Sequence, residues 1–133
     1  MYNQILLTNV LRLLDELNMT KKELSEKSGV SISFLSELTN DKANPSLKVM
    51  ESLARALDTP LPVLLDSTDM DEKDLEQLSG GTYKRSLPAG YTLVCAYLNE
   101  YQAYTVKLWD ASNRKQLQEL RKKNRKISDK VRF

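Results

Sequence analysis

Met19-Thr20-Lys21-Lys22-Glu23-Leu24-Ser25-Glu26-Lys27-Ser28-Gly29-Val30-Ser31-Ile32-Ser33-Phe34-Leu35-Ser36-Glu37-Leu38 is the stretch on which the fold turns. Thr20, with Glu23 three positions on, has the spacing of a capping box and starts a helix. Ser28-Gly29 stops it, because the residue that leaves a helix through the left-handed region is best a glycine. Ser31 caps the next helix, which reaches about Thr39 with Leu35 and Leu38 facing inward, and Asn40-Asp41 end it as turn formers. Upstream, Ile5, Leu6, Val10, Leu13, Leu14 and Leu17 recur at three- and four-residue steps, one apolar face of a preceding helix. Downstream, Pro45-Ser46 open a fourth helix with Leu47, Met50, Leu53, Ala54 and Leu57 as its buried stripe. Pro60 then starts a last short turn that buries Leu61, Leu64 and Leu65. Residues 1–65 thus read as five short helices around one core.

Two short helices joined by a tight glycine turn form the helix-turn-helix unit. Leu24, Gly29, Val30, Leu35 and Leu38 fall where that unit needs a core, a turn and a second inward face. Together with Thr20, Glu23, Ser31, Ser36, Pro45-Ser46-Leu47, Leu53-Ala54, Ala56-Leu57 and Leu64-Leu65, they make residues 19–65 resemble the Cro/C1-type helix-turn-helix family without a gap. The resemblance implies that the second helix of the motif enters the major groove of DNA. By position, Ile32, Ser33, Ser36 and Glu37 then face base edges. Glu37 suits a cytosine amino group, Ile32 a thymine methyl, and serine either kind of pair. Thr20, Lys21, Ser31, Asn40, Lys42 and Asn44 are the implied backbone contacts, which position without reading sequence. Phe34 is open between the edge of the core, the DNA and a partner subunit. Two residues depart from the family pattern. Lys21 replaces a glutamine and meets phosphate as a point charge. Asp41 replaces a glycine, tolerates a left-handed turn, and turns a negative charge toward the DNA backbone.

Composition points the same way. The 133 residues are 41% hydrophobic and 29% charged, which is one globular domain or two small ones. There is no histidine, so the commonest general base and the commonest zinc ligand are missing. One cysteine, Cys95, excludes an internal disulfide and a multi-thiolate metal site. No apolar run reaches the length of a membrane span, and the first residues lack a signal-peptide pattern, so a cytoplasmic location is expected. The formal charge of +2 hides four unequal segments. Residues 1–65 carry seven basic and eight acidic side chains. Residues 66–76 carry six acids against Lys73, and residues 77–113 three basic groups against two acids. Residues 114–133 hold nine basic groups against Glu119 and Asp129. A basic end of this kind either meets nucleic acid or is a solvated helix end followed by a disordered terminus.

The second half is sparser. Residues 66–85 read as an acidic linker, with a helical turn near 70–78 and Ser79-Gly80-Gly81 closing it. Tyr91-Thr92-Leu93-Val94-Cys95-Ala96-Tyr97-Leu98 has the composition of one strand. Asn99, with Gln102, caps a helix expected from Glu100 to about Lys123, and residues 124–133 form a basic tail. A single strand and one helix cannot bury themselves, and twofold pairing with a second copy satisfies both. The expected architecture is therefore mainly α: a five-helix DNA-binding domain (1–65), a linker (66–85), a small strand–helix dimerisation domain (86–123) and the tail. Tyr91, Leu93, Cys95, Tyr97, Val106 and Trp109 are its expected dimer contacts. The aromatic residues read as interface core rather than a ligand pocket, and Cys95 as a buried inert thiol rather than a redox sensor.

Leu87-Pro88-Ala89-Gly90-Tyr91, followed by Gln102-Ala103-Tyr104, Val106-Lys107 and Trp109, is similar to the C-terminal dimerisation segment of the plasmid regulators KorA and TrbA over residues 86–116. Joined to a Cro/C1-type unit, it resembles the TrbA arrangement. That resemblance implies a homodimeric repressor of plasmid promoters, conjugative transfer genes among them, with double-stranded operator DNA and itself as partners. No cofactor, metal, membrane or small-molecule ligand is implied. Two other classes stand beside it. One is the antitoxin of a toxin–antitoxin pair, whose basic tail would hold the toxin. The other is an enzyme using carboxylates 66–76 on a metal, although acidic linkers of this sort are usually just solvated.

Overall fold

A computed structural model of the chain describes residues 1–81 and 87–131. Residues 82–86, where the expected linker passes into the expected dimerisation domain, and the last two residues of the tail lie outside the described residues. Two compact units result, Met1–Cys95 and Ala96–Phe133.

In the first unit five helices enclose the core: α1 (Tyr2–Glu16), α2 (Lys21–Ser28), α3 (Ile32–Thr39), α4 (Leu47–Ala56) and α5 (Leu61–Leu64). Helix α2 packs on α3 and α4, α1 on α3 and α5, and α4 on α5. Leu6, Val10, Leu14, Leu24, Val30, Leu35, Leu38, Leu53, Leu57 and Leu64 fill the space between them. The starts follow the sequence. Thr20, Ser31 and Ser46 each accept a hydrogen bond from the backbone N–H three residues on, at Glu23, Phe34 and Val49, which satisfies one of the orphan donors of a first turn.

The ends share one device. After α1, α3 and α4 the chain turns through a left-handed residue, Asn18 (φ 50°), Asp41 (φ 56°) and Asp58 (φ 49°). In each case the following N–H returns to a carbonyl of the last turn: Met19 to Leu14, Lys42 to Glu37, Thr59 to Ala54. This is the Schellman closure with asparagine or aspartate where glycine is commoner. Helix α2 ends on Gly29 at φ 73°, with open space where a Cβ would sit. Gly29→Ala is therefore expected to cost about 1 kcal/mol from backbone strain alone. The check is a lower denaturant midpoint at unchanged slope.

Two residues expected inside are outside. Leu17 is exposed because α1 closes one residue earlier and Asn18 swings the chain away. Leu47, the first residue of α4, is 60% exposed, while Ala43 and Pro45 of the preceding connection are buried.

Within the same unit, α6 (Glu72–Leu78) forms in the acidic stretch and buries Leu75. Its first turn explains several of the acids. Asp71 and Asp74 make a reciprocal capping box, with Asp74 N–H to Asp71 Oδ1 at 2.8 Å and Asp71 N–H to Asp74 Oδ2 at 3.3 Å. Asp71, Glu72 and Asp74 thus sit at the positive end of the helix.

Residues 91–98 do not form a strand, and there is no strand among the described residues. A strand needs a neighbour for its backbone groups, and a single copy supplies none to this segment. In the second unit, α7 (Glu100–Val131) is a single 32-residue helix. Its N-terminal box is as expected: Gln102 N–H donates to Asn99 Oδ1 at 2.9 Å and Asn99 N–H to Gln102 Oε1 at 3.2 Å. The helix runs eight residues past the expected end at Lys123, so most of the basic tail is helical. Residues 114–131 contain no glycine or proline and are rich in lysine, arginine, leucine and glutamine, all good helix formers. Asp110–Arg114 at 2.6 Å and Glu119–Lys122 at 3.4 Å add exposed pairs along the helix, each worth a few tenths of a kcal/mol.

Candidate nucleic-acid interface

Helix α3 has two unlike faces. Leu35 and Leu38 are each 1% exposed, whereas Ile32 on the other side is 48% exposed. Ser33 and Glu37 are exposed as well, and Ser36 is half-buried. Phe34 is partly buried and packs against the core, so of the three places open to it the structure gives the edge of the core. An isoleucine left half in water at the first turn of an eight-residue helix contributes little to folding. What it offers is an apolar contact beside two hydroxyls and a carboxylate.

The surrounding groups come from two helix starts and one connection. Thr20 and Ser31 use their hydroxyl oxygens as cap acceptors, at 3.1 Å from Glu23 N and Phe34 N. Each keeps its O–H as a donor for an outside acceptor such as a phosphate oxygen. Lys21 lies at the first turn of α2 and reaches α3, where its Nζ donates to Thr39 Oγ1 at 2.9 Å. Thr39 Oγ1 in turn donates to the Ser36 carbonyl at 3.0 Å. One of the three ammonium protons is thus engaged within the motif, which holds the charge beside α3 while two remain.

Asn40, Lys42 and Asn44 follow α3 and are all exposed. Their connection is tied to α1 twice. Asn3 Nδ2 donates to the Ala43 carbonyl at 3.3 Å, and Gln4 Nε2 donates to Asp41 Oδ2 at 3.0 Å. Asp41 therefore takes the left-handed turn that its position requires, and its carboxylate is occupied by an amide donor.

Asn3, Gln4 and Thr39 carry no signal in the linear sequence, because their partners lie up to 40 positions away. Neither does Asn9, the buried polar residue of the core. Its Nδ2 donates to the carbonyls of Leu64 at 2.8 Å and Asp66 at 3.0 Å, satisfying groups at the end of α5 that the short helix leaves without intrahelical donors.

The sequence-predicted interface residues thus sit on the outward face of α3, the starts of α2 and α3, and the loop after α3. Locally their charges balance, with Lys21 and Lys42 against Glu37 and Asp41. No group of three potential metal ligands occurs among the described residues, and no helix there is long and apolar enough to cross a membrane.

Five helices with a glycine turn between the second and third, and an outward third helix, define a helix-turn-helix domain. The comparison with known families agrees: the helix-turn-helix family of the Cro/C1 type matches residues 10–64. That family is one of DNA-binding regulators, and the match suggests sequence-specific DNA binding and transcription regulation for the part of the chain that it covers. No curated protein and no solved structure matches the chain.

The residues expected to make a dimer are exposed in a single copy. Leu93 is 81% exposed, Tyr97 82% and Trp109 64%, with Val106 just beyond half-buried and Tyr91 half-buried. Cys95, expected to be buried, is exposed too. Its N–H donates to Thr68 Oγ1 at 3.1 Å, but with no strand beside it the thiol has no sheet to pack into.

Proposed function

We propose that this protein is a homodimeric repressor that binds near-palindromic operator DNA, with α3 as the reading helix and a TrbA-like role on plasmid promoters of transfer and maintenance genes. The observation that carries the DNA reading is the outward face of α3, where Ile32, Ser33 and Glu37 stand in solvent on a domain whose core is otherwise closed. Base edges are the partner that uses an apolar group, a hydroxyl and a carboxylate on one helix face. The plasmid role rests on the resemblance of residues 86–116 to the KorA and TrbA segment.

The dimer reading has physical support of its own. Helix α7 has no buried residue over its 32 positions, while helices in proteins draw most of their stability from packing an apolar face. Tyr101, Tyr104, Leu108 and Trp109 all stand exposed on it. The local charge balance of the interface also favours two copies. With no excess of cations, bulk attraction to phosphate is small, and doubling the contacts is the available route to affinity.

Footprinting on promoters of the replicon that carries the gene is the direct test. Two protected half-sites about 34 Å apart, or a multiple of that, are expected. A single asymmetric half-site filled by one subunit would end the reading. Within the interface, Lys21→Ala is expected to weaken operator and random DNA together and to lower the salt slope by about 1, as loss of one phosphate contact does. Glu37→Ala is expected to relax base preference at one position by about 1–3 kcal/mol. Titrations of matched and mismatched duplexes at several salt concentrations separate the two.

A further inference from the structure

Beyond residue 116 the exposed face of α7 acquires a regular spacing. Leu117, Leu120, Asn124, Ile127 and Val131 alternate at steps of three and four, the a and d positions of a coiled-coil heptad. Continued backward, the same frame passes Asn113, Asp110, Val106 and Ala103. Val106 is a residue of the dimer interface proposed above, so the seam is continuous with it. The polar interruption at Asp110 is neutralised by Arg114, 2.6 Å away.

We infer that residues 117–131 of α7 pair with the same residues of a second copy as a short parallel two-stranded coiled coil, in the register that sets Asn124 against its twin. This rests on the homodimer reading and extends it into the basic end of the chain. Two observations point to a second copy as the occupant. Ile127 and Val131 are exposed, at 61% and 81%, on a helix with no buried residue. The seam is self-complementary, since an asparagine at one a position is satisfied by an asparagine at the same level of a parallel partner. An antiparallel partner would oppose it with Leu120 or Ile127, leaving the amide without a hydrogen-bonding neighbour.

The flanking charges permit that register too. In a parallel pair the positions beside the seam bring Gln116 near Arg121 and Lys123 near Ser128, so no two like charges meet there. The basic groups at Lys122, Arg125 and Lys126 fall on the outer positions of the frame, where solvent accommodates them. Two heptads are too short to associate alone; joined to the Ala103–Val106 part of the seam, they lengthen an interface that begins elsewhere.

The test uses the full chain. Leu120→Lys with Ile127→Lys keeps good helix formers on the helix while charging the seam. Sedimentation is expected to show a dimer whose dissociation constant rises at least roughly 100-fold in the double variant, with helical content retained by circular dichroism. In a Cys95→Ser background, Val131→Cys is expected to form a disulfide with its own kind in a glutathione buffer. A parallel register brings two such residues together, whereas an antiparallel one that sets Asn124 against Ile127 parts them by about 16 Å, and one that sets it against Leu120 parts them further.

A double variant that dimerises as tightly as the parent overturns the coiled coil and leaves the homodimer standing. So does a lower melting temperature of the double variant with no change in sedimentation, which would mean that the seam packs within one chain. Cross-linking of a Leu120→Cys chain to a Val131→Cys chain, with no Val131→Cys self-pairing, overturns the parallel register. A parent chain that sediments as a monomer at tens of micromolar removes the homodimer itself.

Discussion

Ending the chain after Gly81 is expected to leave a folded, helical monomer that binds operator roughly 100-fold more weakly than the full chain, or worse. The fold survives because its core is complete by then. Leu6, Val10, Leu14, Leu24, Leu35, Leu38, Leu53 and Leu64 pack on one another, and the Asn9 amide keeps both carbonyl partners at Leu64 and Asp66. The affinity falls because two half-site contacts no longer act as one. Tethering a second binding event to the first multiplies affinity by about 10²–10⁴ without any new contact, and removing the tether forfeits that factor. Sedimentation and duplex titration of the same preparation decide the matter. A truncated chain that still sediments as a dimer would move the interface into the first unit and leave α7 without its proposed role.

The parts of this protein that sequence made legible are those governed by neighbours in the chain. Thr20, Ser31, Ser46 and Asn99 cap the helices whose N–H groups lie three residues away, and Gly29 turns where a left-handed residue is needed. Leu24, Leu35, Leu38 and Leu53 fall on faces set by the helical repeat. All of this is local stereochemistry. Reading failed where an effect depends on what lies across space or beyond one copy. The amide of Asn9 looks like one more polar residue on an amphipathic helix until α5 is set against it. Asn3 and Gln4 look like solvent groups until the loop after α3 folds back on α1. Leu47 belongs to the apolar stripe of α4 by spacing, yet whether the first residue of a stripe is covered depends on what its neighbours in space already fill. The strand at 91–98 is the sharpest case. Its composition is that of a strand, but strands exist in pairs, and composition does not say where the other member lies. In α7 the helix itself was legible and its length was not. The helix is expected to end near Lys123 with a basic tail after it, while the propensities and (i, i+4) pairs of that segment favour continued helix. The outward face of α3 was legible as a pattern, since residues that the core does not need are visible as soon as those it does need are assigned.

Leu35→Ala and Ile32→Ala, three positions apart on the same helix, are expected to fail in opposite ways. Leu35 is 1% exposed and lies in the core between α1, α2 and α3. Truncating a buried leucine to alanine costs about 2–5 kcal/mol, part of it lost transfer energy and part the cavity left behind. A domain of this size has on the order of 5–10 kcal/mol to lose. Leu35→Ala should therefore lower the melting temperature steeply, and all DNA binding, specific or not, should fall with the folded fraction. Ile32 is half in solvent, at the first turn of α3 after a cap that uses Ser31 and Phe34 N–H. Its truncation leaves no cavity, and alanine is the better helix former there, so stability should stay within about 0.5 kcal/mol of the parent. Operator binding should nevertheless drop while binding to random duplex holds, because the lost contact is one that a base edge makes and a phosphate does not. Thermal melts of both variants, set beside titrations on operator and random DNA, give six numbers. If Ile32→Ala left operator binding untouched, the outward face of α3 would not be the reading surface. If it instead lowered stability as much as Leu35→Ala, the residue would be serving the core, and its exposure would have been misread.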